Sequence, residues 1–348
     1  MTRLNLADDG DWLTPKETAE RLAELTARGD VAPDYYGVGG PVTELENAVA
    51  AMFGKEAAVM YPTGTLANML AARELAAAKR GPRLVVQSDS HVFNDAGDNF
   101  THGIGVTTVP LASEGPSFTA EQLRAEIERT ASARVPATIV GVMVETPSRR
   151  YANRLFDPVA LAEIIALAKA ENIPLILDGA RIFIEAAWTD RELTEITAPF
   201  DYIYLSLYKY LDAPFGALLA GSAAALEGQH HERRRFGGGL FQMWPSALLA
   251  HNALARQTKN WAAVRVAGAA VLDALPGLGV EAHRLVDDTN VIRIKSAVES
   301  DEVAKRAQAR NAKMPPRSRG GYVLKMNESW LNTPPDRIAA TISEILCD

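Results

Sequence analysis

Tyr202-Ile203-Tyr204-Leu205-Ser206-Leu207-Tyr208-Lys209-Tyr210-Leu211-Asp212-Ala213-Pro214-Phe215-Gly216-Ala217-Leu218-Leu219-Ala220-Gly221 is the stretch from which the rest of the chain is read. An apolar run of β type ends at a single lysine, a turn containing Pro214 and Gly216 follows, and a second apolar run leaves it. The pattern predicts strand, lysine, turn, strand. Between Tyr208 and Tyr210, Lys209 is expected to be partly desolvated, which lowers an amine's pKa and makes it a nucleophile toward carbonyls. A lysine after a strand is more often a solvated strand end, so the sequence upstream has to decide between the two.

Upstream, apolar runs at 84–87, 106–111, 137–144 and 174–177 alternate with helical patterns at about 119–130 and 157–171. Repeated strand–helix units with continuous apolar strands imply a parallel sheet covered on both faces, with ligands gathered at the carboxyl ends of its strands. His91, Glu145, Asp178 and Lys209 each follow such a run, so four polar groups are expected to point into one crevice. In Asp178-Gly179-Ala180-Arg181 the carboxylate starts out buried and needs a cationic partner. That partner is either Arg181, in a structural pair within the turn, or the protonated ring nitrogen of a cofactor. Ala57-Ala58-Val59-Met60-Tyr61 delivers Pro62-Thr63-Gly64-Thr65 to the start of an Ala- and Leu-rich helix, where free backbone N–H groups and the helix dipole favour an anion such as phosphate.

Elsewhere, Thr14-Pro15-Lys16-Glu17 opens a helix that stops near Gly29, and Thr43 with Glu46 opens another that ends at Gly54. Between them, Asp34-Tyr35-Tyr36-Gly37-Val38-Gly39-Gly40-Pro41 reads as a binding loop or as a plain surface loop. The tail gives strand 289–295, helix 300–312, strand 321–326 and helix 335–346, behind one long helix at about 245–275. This predicts an N-terminal segment (1–30), a large domain (31–275) and a small α+β C-terminal domain (276–348).

Composition narrows the function classes. A net charge of -7 over 348 residues, with no long basic run, argues against a nucleic-acid surface. Arg233-Arg234-Arg235 is short and lies beside glycines, which suits an anion contact or a solvated face. The single cysteine, Cys347, excludes an intrachain disulfide and a cysteine-based metal site, and no metal is expected. No apolar run is expected to reach membrane-spanning length and no signal core is visible, so a soluble cytoplasmic protein is expected. No strand leads into a G-x-G-x-x-G turn, which leaves a nicotinamide-dependent dehydrogenase without support.

Taken together, Asp34-Tyr35-Tyr36-Gly37, Thr63-Gly64-Thr65, Ser90-His91, Glu145-Thr146-Pro147-Ser148-Arg149, Asp178-Gly179-Ala180-Arg181, Ser206-Leu207-Tyr208-Lys209 and Arg235-Phe236-Gly237-Gly238-Gly239-Leu240-Phe241-Gln242 resemble the fold type I pyridoxal-phosphate enzymes. Within them the likeness is to the threonine aldolase and aromatic amino acid β-eliminating lyase family, over roughly residues 30 to 260. The resemblance implies an α/β, transferase-like fold with a mainly parallel sheet, and pyridoxal 5'-phosphate carried on Lys209. It further implies Asp178 on the pyridinium nitrogen, Gly64 and Thr65 at the phosphate, His91 stacked on the ring and handling protons, and Arg181 at the ring oxygen and the substrate carboxylate. Arg149, Tyr36 and Lys325 are further candidates for binding an amino acid substrate. A homodimer or homotetramer, without nucleic-acid or membrane partners, is implied as well.

The implied reaction is cleavage of the Cα–Cβ bond of a β-hydroxy-α-amino acid to glycine and an aldehyde. Elimination of a β leaving group, giving a keto acid and ammonia, and a catalytically idle binding module are the alternatives. Three positions depart from the family pattern: Ala7 stands where a serine is usual, and Lys325 and Phe241 stand where arginines are usual. Phe241, Trp244 and Tyr36 are candidates for a more apolar pocket, or for core and interface.

Overall fold

The computed structural model describes residues 3–77, 79–111, 114–318 and 320–347. In chain order, a two-residue strand β1 (Leu4–Asn5) precedes β2 (Ala57–Tyr61), β3 (Pro82–Gln87), β4 (Thr107–Leu111), β5 (Thr138–Glu145), β6 (Leu175–Asp178), β7 (Tyr202–Ser206) and β8 (Ala217–Gly221). The short strands β9 (Ala282–His283), β10 (Val291–Lys295), β11 (Ala312–Lys313) and β12 (Gly321–Lys325) follow. Strands β2 to β8 form one sheet in the order β2-β8-β7-β6-β5-β3-β4. Contacts from β7 through β4 are parallel, whereas β8 runs antiparallel to both β7 and β2. Helices such as Gly64–Ala76 and Pro158–Ala170 connect and cover the sheet, so β6, β7 and β8 are buried along their whole length. That burial is why these strands read as continuous apolar runs rather than alternating ones.

Toward the carboxyl terminus, β12-β10-β9 form an antiparallel sheet, and β1 pairs in parallel with β11 at Leu4↔Ala312. The amino-terminal segment is therefore built into the C-terminal substructure. Asn5 anchors it: its carbonyl accepts from Asn327 Nδ2 (3.0 Å) and Trp330 Nε1 (3.2 Å), and the Lys325 N–H reaches the Leu6 carbonyl at 2.9 Å.

Three expectations are corrected. The second helix begins at Gly40 and not at Thr43, because Pro41 supports a start one turn earlier; Thr43 Oγ1 instead accepts the Gly39 N–H (3.0 Å), and buried Glu46 accepts the Met60 N–H (2.7 Å). The long helix at 245–275 is two helices, Trp244–Leu254 and Gln257–Ala274, broken where Arg256 turns to bond Asp212. Residues Gln257–Leu278 are long and apolar enough by composition to cross a membrane, contrary to expectation. One face of this segment buries Trp261, Val264 and Val271, and it packs on the helices Ile182–Thr189 and Pro335–Leu346.

Candidate active site

Four neighbouring parallel strands, β7, β6, β5 and β3, end side by side, with Glu145 opposite Asp178 and Asp178 opposite Tyr204. Their carboxyl ends open into a cavity of about 610 Å³ lined by His91, Glu145, Asp178, Arg181, Lys209, Arg149 and Lys325, among others. A cavity of this size suits a small-molecule ligand. The strand ends are locked by Gln87, whose amide donates to the Glu145 carbonyl (2.9 Å) and accepts the Glu145 N–H (2.7 Å). The Glu145 carboxylate in turn accepts the N–H groups of His91 (2.6 Å) and Arg149 (2.9 Å). Glu145 thus fixes the backbone on which His91 and Arg149 stand.

Asp178 is only 2% exposed, yet no cation among the described residues pairs with it directly. It accepts from Asn68 Nδ2 (3.1 Å) and from the Ala180 N–H (3.3 Å). Burial, and then the nearby Glu145 carboxylate, raise its pKa, against the pull of Lys209 and His91. Burial and then repulsion from Arg181 lower the Lys209 amine to about 7, while Asp178, Asp9 and Glu145 oppose the shift. Both shifts favour the uncharged forms, so the site holds a poised nucleophilic amine beside a carboxyl that lacks a strong positive partner. Asn68 Oδ1, on the same amide that reaches Asp178, is buried without a hydrogen-bond partner. An unmet acceptor and an unpaired buried carboxyl fit a ligand that brings its own protonated nitrogen.

The structural reading of Asp178-Gly179-Ala180-Arg181 as a pair within the turn is overturned. Arg181 turns away and donates from Nε to Asp9 Oδ2 at 2.8 Å. Asp9 Oδ1 also accepts from Lys325 Nζ (2.7 Å) and Asn153 Nδ2 (2.7 Å). Although burial would raise Asp9, Arg181 and Lys325 hold its carboxyl well below the usual range. Because Arg181 is gripped through Nε, its two terminal nitrogens form no hydrogen bond with the described residues. Arg149 lines the cavity but pairs with Asp95, which also meets Arg150 at 2.9 Å and lies 3.6 Å from His91 Nδ1.

Gly64 and Thr65 open the helix Gly64–Ala76, which is capped by Thr63 Oγ1 accepting the Leu66 N–H (3.2 Å). They do not line the 610 Å³ cavity. Asn68, one turn further along, connects this helix start to Asp178. Any side chain at Gly64 would run into the Tyr204 hydroxyl.

Tyr36 also lies outside the cavity. Its ring packs edge-on against Tyr35 and Phe241 and under the Arg234 guanidinium at 4.3 Å. Phe241 and Trp244 are likewise absent from the cavity wall, so these three do not form an apolar lining there. Its aromatic members besides His91 are Trp12 and Tyr208. Of the arginine run, Arg233 is buried and donates to the carbonyls of Met60 and Tyr36, and Arg235 pairs with Glu232 at 2.8 Å, which are structural tasks. Asp34 fastens its loop by accepting the N–H groups of Gly37, Met243 and Trp244, each at 2.7 Å.

Sequence reasoning missed Asp9, Trp12, Asn68 and Asp95. Asn68 left a readable trace, a polar residue on the buried face of an Ala- and Leu-rich helix four positions after Gly64. Asp9 and Trp12 left none, since they reach the site only when the amino terminus joins β11.

The family model described as beta-eliminating lyase matches residues 15–297. The low specificity L-threonine aldolase of Escherichia coli (strain K12) is 28% identical over 233 residues, 66% of this chain and 67% of that protein. Low-specificity L-threonine aldolase 1 of Arabidopsis thaliana is 25% identical over 233 residues, 66% of this chain and 64% of that protein. Across the curated relatives that head the comparison, the chain spans 60% to 67% of their length. A solved structure from Listeria monocytogenes EGD-E, described as a candidate L-allo-threonine aldolase, superposes with a TM-score of 0.79 at 22% identity, covering 99% of this chain and 96% of that one. At that identity the likeness speaks for the fold.

Proposed function

The chain belongs to the beta-eliminating lyase family, and on that premise we propose that it is a pyridoxal 5'-phosphate-dependent lyase cleaving the Cα–Cβ bond of a β-hydroxy-α-amino acid to glycine and an aldehyde. The observation that carries the reading is the pair formed by Lys209, lowered to about 7, and Asp178, buried without an ion pair to any described residue, at adjacent strand ends. When bound, pyridoxal phosphate supplies an electron sink for the bond broken at Cα.

The chain's own residues do the rest. Lys209 would hold the cofactor through its amine, which is nucleophilic in its neutral form. Asp178, steadied by the Asn68 amide, would accept a hydrogen bond from the protonated ring nitrogen. The N–H groups at Gly64 and Thr65, outside the cavity wall but on the helix that Asn68 ties to Asp178, would hold the phosphate, aided by the helix dipole. Arg181 turns its terminal nitrogens to the substrate carboxylate as a bidentate fork, with Lys325 as a second, single-point cation. His91, beside Asp95, takes the proton of the β-hydroxyl so that the carbonyl of the leaving aldehyde can form. Tyr36 and Arg149 are the weaker members of the set, because Tyr36 lies outside the cavity and Arg149 is paired with Asp95.

Relatives named threonine aldolases favour this reaction, and the family's own description favours elimination of a β leaving group to a keto acid and ammonia as the second reading. A homo-oligomer belongs to the same proposal. It is supported by the exposed Tyr35 and Phe241 rings, which a second copy would cover, and light scattering reads it. The deciding experiment offers cofactor-loaded protein L-threonine, L-allo-threonine, phenylserine and an amino acid with a good β leaving group. Aldehyde plus glycine, lost in Lys209→Ala, is the expected outcome. Pyruvate and ammonia without aldehyde would replace the reaction while keeping the site.

A further inference from the structure

Most of the cavity wall is charged. Its large apolar surface comes from Trp12 and Tyr208, which are 52% and 42% exposed, whereas Trp261 and Trp330 are fully buried in the core. An exposed tryptophan is ordinarily unremarkable on a surface. Here it lines the same cavity as Lys209 and is held in place.

The hold is built from several independent contacts. Trp12 Nε1 donates to the carbonyl of Lys209 at 3.1 Å. Lys313 Nζ stands 5.0 Å from the ring centroid and is itself tied to Asp8. The strap that carries Trp12 lies on the backbone of the reactive lysine, so close at Gly10 that any side chain there would meet the Lys209 carbonyl. Asn5 pins the strap by donating to the Gly10 carbonyl (3.1 Å) and accepting the Ala7 and Asp8 N–H groups (3.0 and 3.1 Å), and Asn327 donates to the Asp8 carbonyl (2.9 Å).

We propose that Trp12 is the wall of the substrate side-chain subsite, and that this subsite takes an aromatic β-substituent, making a β-aryl-β-hydroxy-α-amino acid the preferred substrate class. The proposal rests on the aldol-cleavage reading and specifies its substrate. With its N–H already bonded to Lys209, the indole offers no donor to a polar substituent, only ring surface. A methyl group, as in threonine, covers little of that surface. A phenyl ring covers much more of it and can pack against both Trp12 and Tyr208 in the offset or edge-on geometries that aromatic pairs favour. Ala7, on the same strap, adds little bulk to the wall.

The test compares wild type, Trp12→Ala and Trp12→Phe, all cofactor-loaded, for kcat/KM on phenylserine and on L-threonine. It also measures equilibrium binding of L-phenylalanine against L-alanine, neither of which has a β-hydroxyl to cleave. The expected result is a wild-type preference for phenylserine over threonine that Trp12→Ala lowers by about tenfold, mainly through KM for phenylserine, while Trp12→Phe, which loses the same bond to the Lys209 carbonyl but keeps a ring, retains most of the preference. The binding ratio of phenylalanine to alanine should fall in parallel. An equal loss on both substrates, or a wild type without preference for the aromatic one, overturns the proposal. If no substrate yields aldehyde, the aldol reading has failed, and the phenylalanine binding ratio alone then decides whether Trp12 forms an aromatic subsite. Should Trp12→Ala fail to fold, Trp12→Leu, which keeps bulk without a ring, must still lose the preference.

Discussion

Lys209 and Asp9 show how much of the site's chemistry is set by single charges in a dry place. Burial alone would drive both groups toward neutrality. Asp9 stays charged because Arg181 and Lys325 both reach it, whereas Lys209 faces Arg181 as well as its carboxylates and is lowered to about 7. An amine lowered in this way is neutral and nucleophilic above its pKa, so the rate at which Lys209 captures pyridoxal phosphate should fall as the pH drops through about 7. Asp9 is one of the groups that raise Lys209. Asp9→Asn keeps the side chain's size but removes its charge, so Lys209 should become more acidic and the acid limb of the pH profile should move to lower pH. The same change should raise KM several-fold, because Arg181 loses the grip that aims its fork. A pH–rate profile of the variant with an unmoved acid limb would rule out this coupling. At this scale the sequence was a good guide to His91, Glu145, Asp178 and Lys209, since each stands at the end of an apolar run. It was silent on Asp9, because nothing local marks a carboxylate that finds its cations 172 and 316 positions away.

The helix Gly64–Ala76 does two jobs through one geometry. Its amino terminus presents free N–H groups, and its first turn sits against Tyr204 of β7 closely enough that residue 64 can carry no side chain. Asn68, one turn on, then falls at hydrogen-bonding distance from Asp178. Gly64→Ala forces Tyr204 or the helix to shift, an overpacking that costs about 1–3 kcal/mol. It should lower the melting temperature and weaken cofactor binding, and Tyr204→Phe in the same chain should restore part of both. Cofactor titration and thermal unfolding of the single and double variants measure this; loss of affinity without any rescue would place the effect elsewhere. Element boundaries were legible where chemistry marks them, as at the Thr14 capping box, which forms as read. They were not legible at Ala255 and Arg256, where the apolar pattern runs on and a distant aspartate, Asp212, takes the arginine.

For the whole molecule, the buried acid Glu46 makes stability depend on pH. It joins the helix Gly40–Met52 to β2 through the Met60 N–H, and burial raises it to about 7 from 4.5. A carboxyl whose folded pKa is raised binds its proton more tightly when folded. Its contribution to stability is therefore complete below about 4.5 and is lost as the pH rises through about 7. Glu46→Gln should match wild type in mildly acidic solution and exceed it above neutrality by roughly 2–3 kcal/mol. Denaturant unfolding at the two pH values checks this, and a variant less stable than wild type at alkaline pH would contradict it.

The sequence by itself determined that apolar runs alternate with helices and that a lysine, an aspartate, a histidine and a glutamate each stand at a run's end. These are local facts, set by side-chain periodicity and the requirement to bury continuous strands on both faces. Only the tertiary structure decided that β8 runs antiparallel and that Arg181 serves Asp9 rather than Asp178. It also decided that the amino-terminal strap crosses Lys209, placing Trp12 in the cavity while Tyr36, Trp244 and Phe241 stay outside. Those outcomes depend on which distant groups can satisfy one another's charge and hydrogen bonds once buried, and no window of neighbouring residues contains that information.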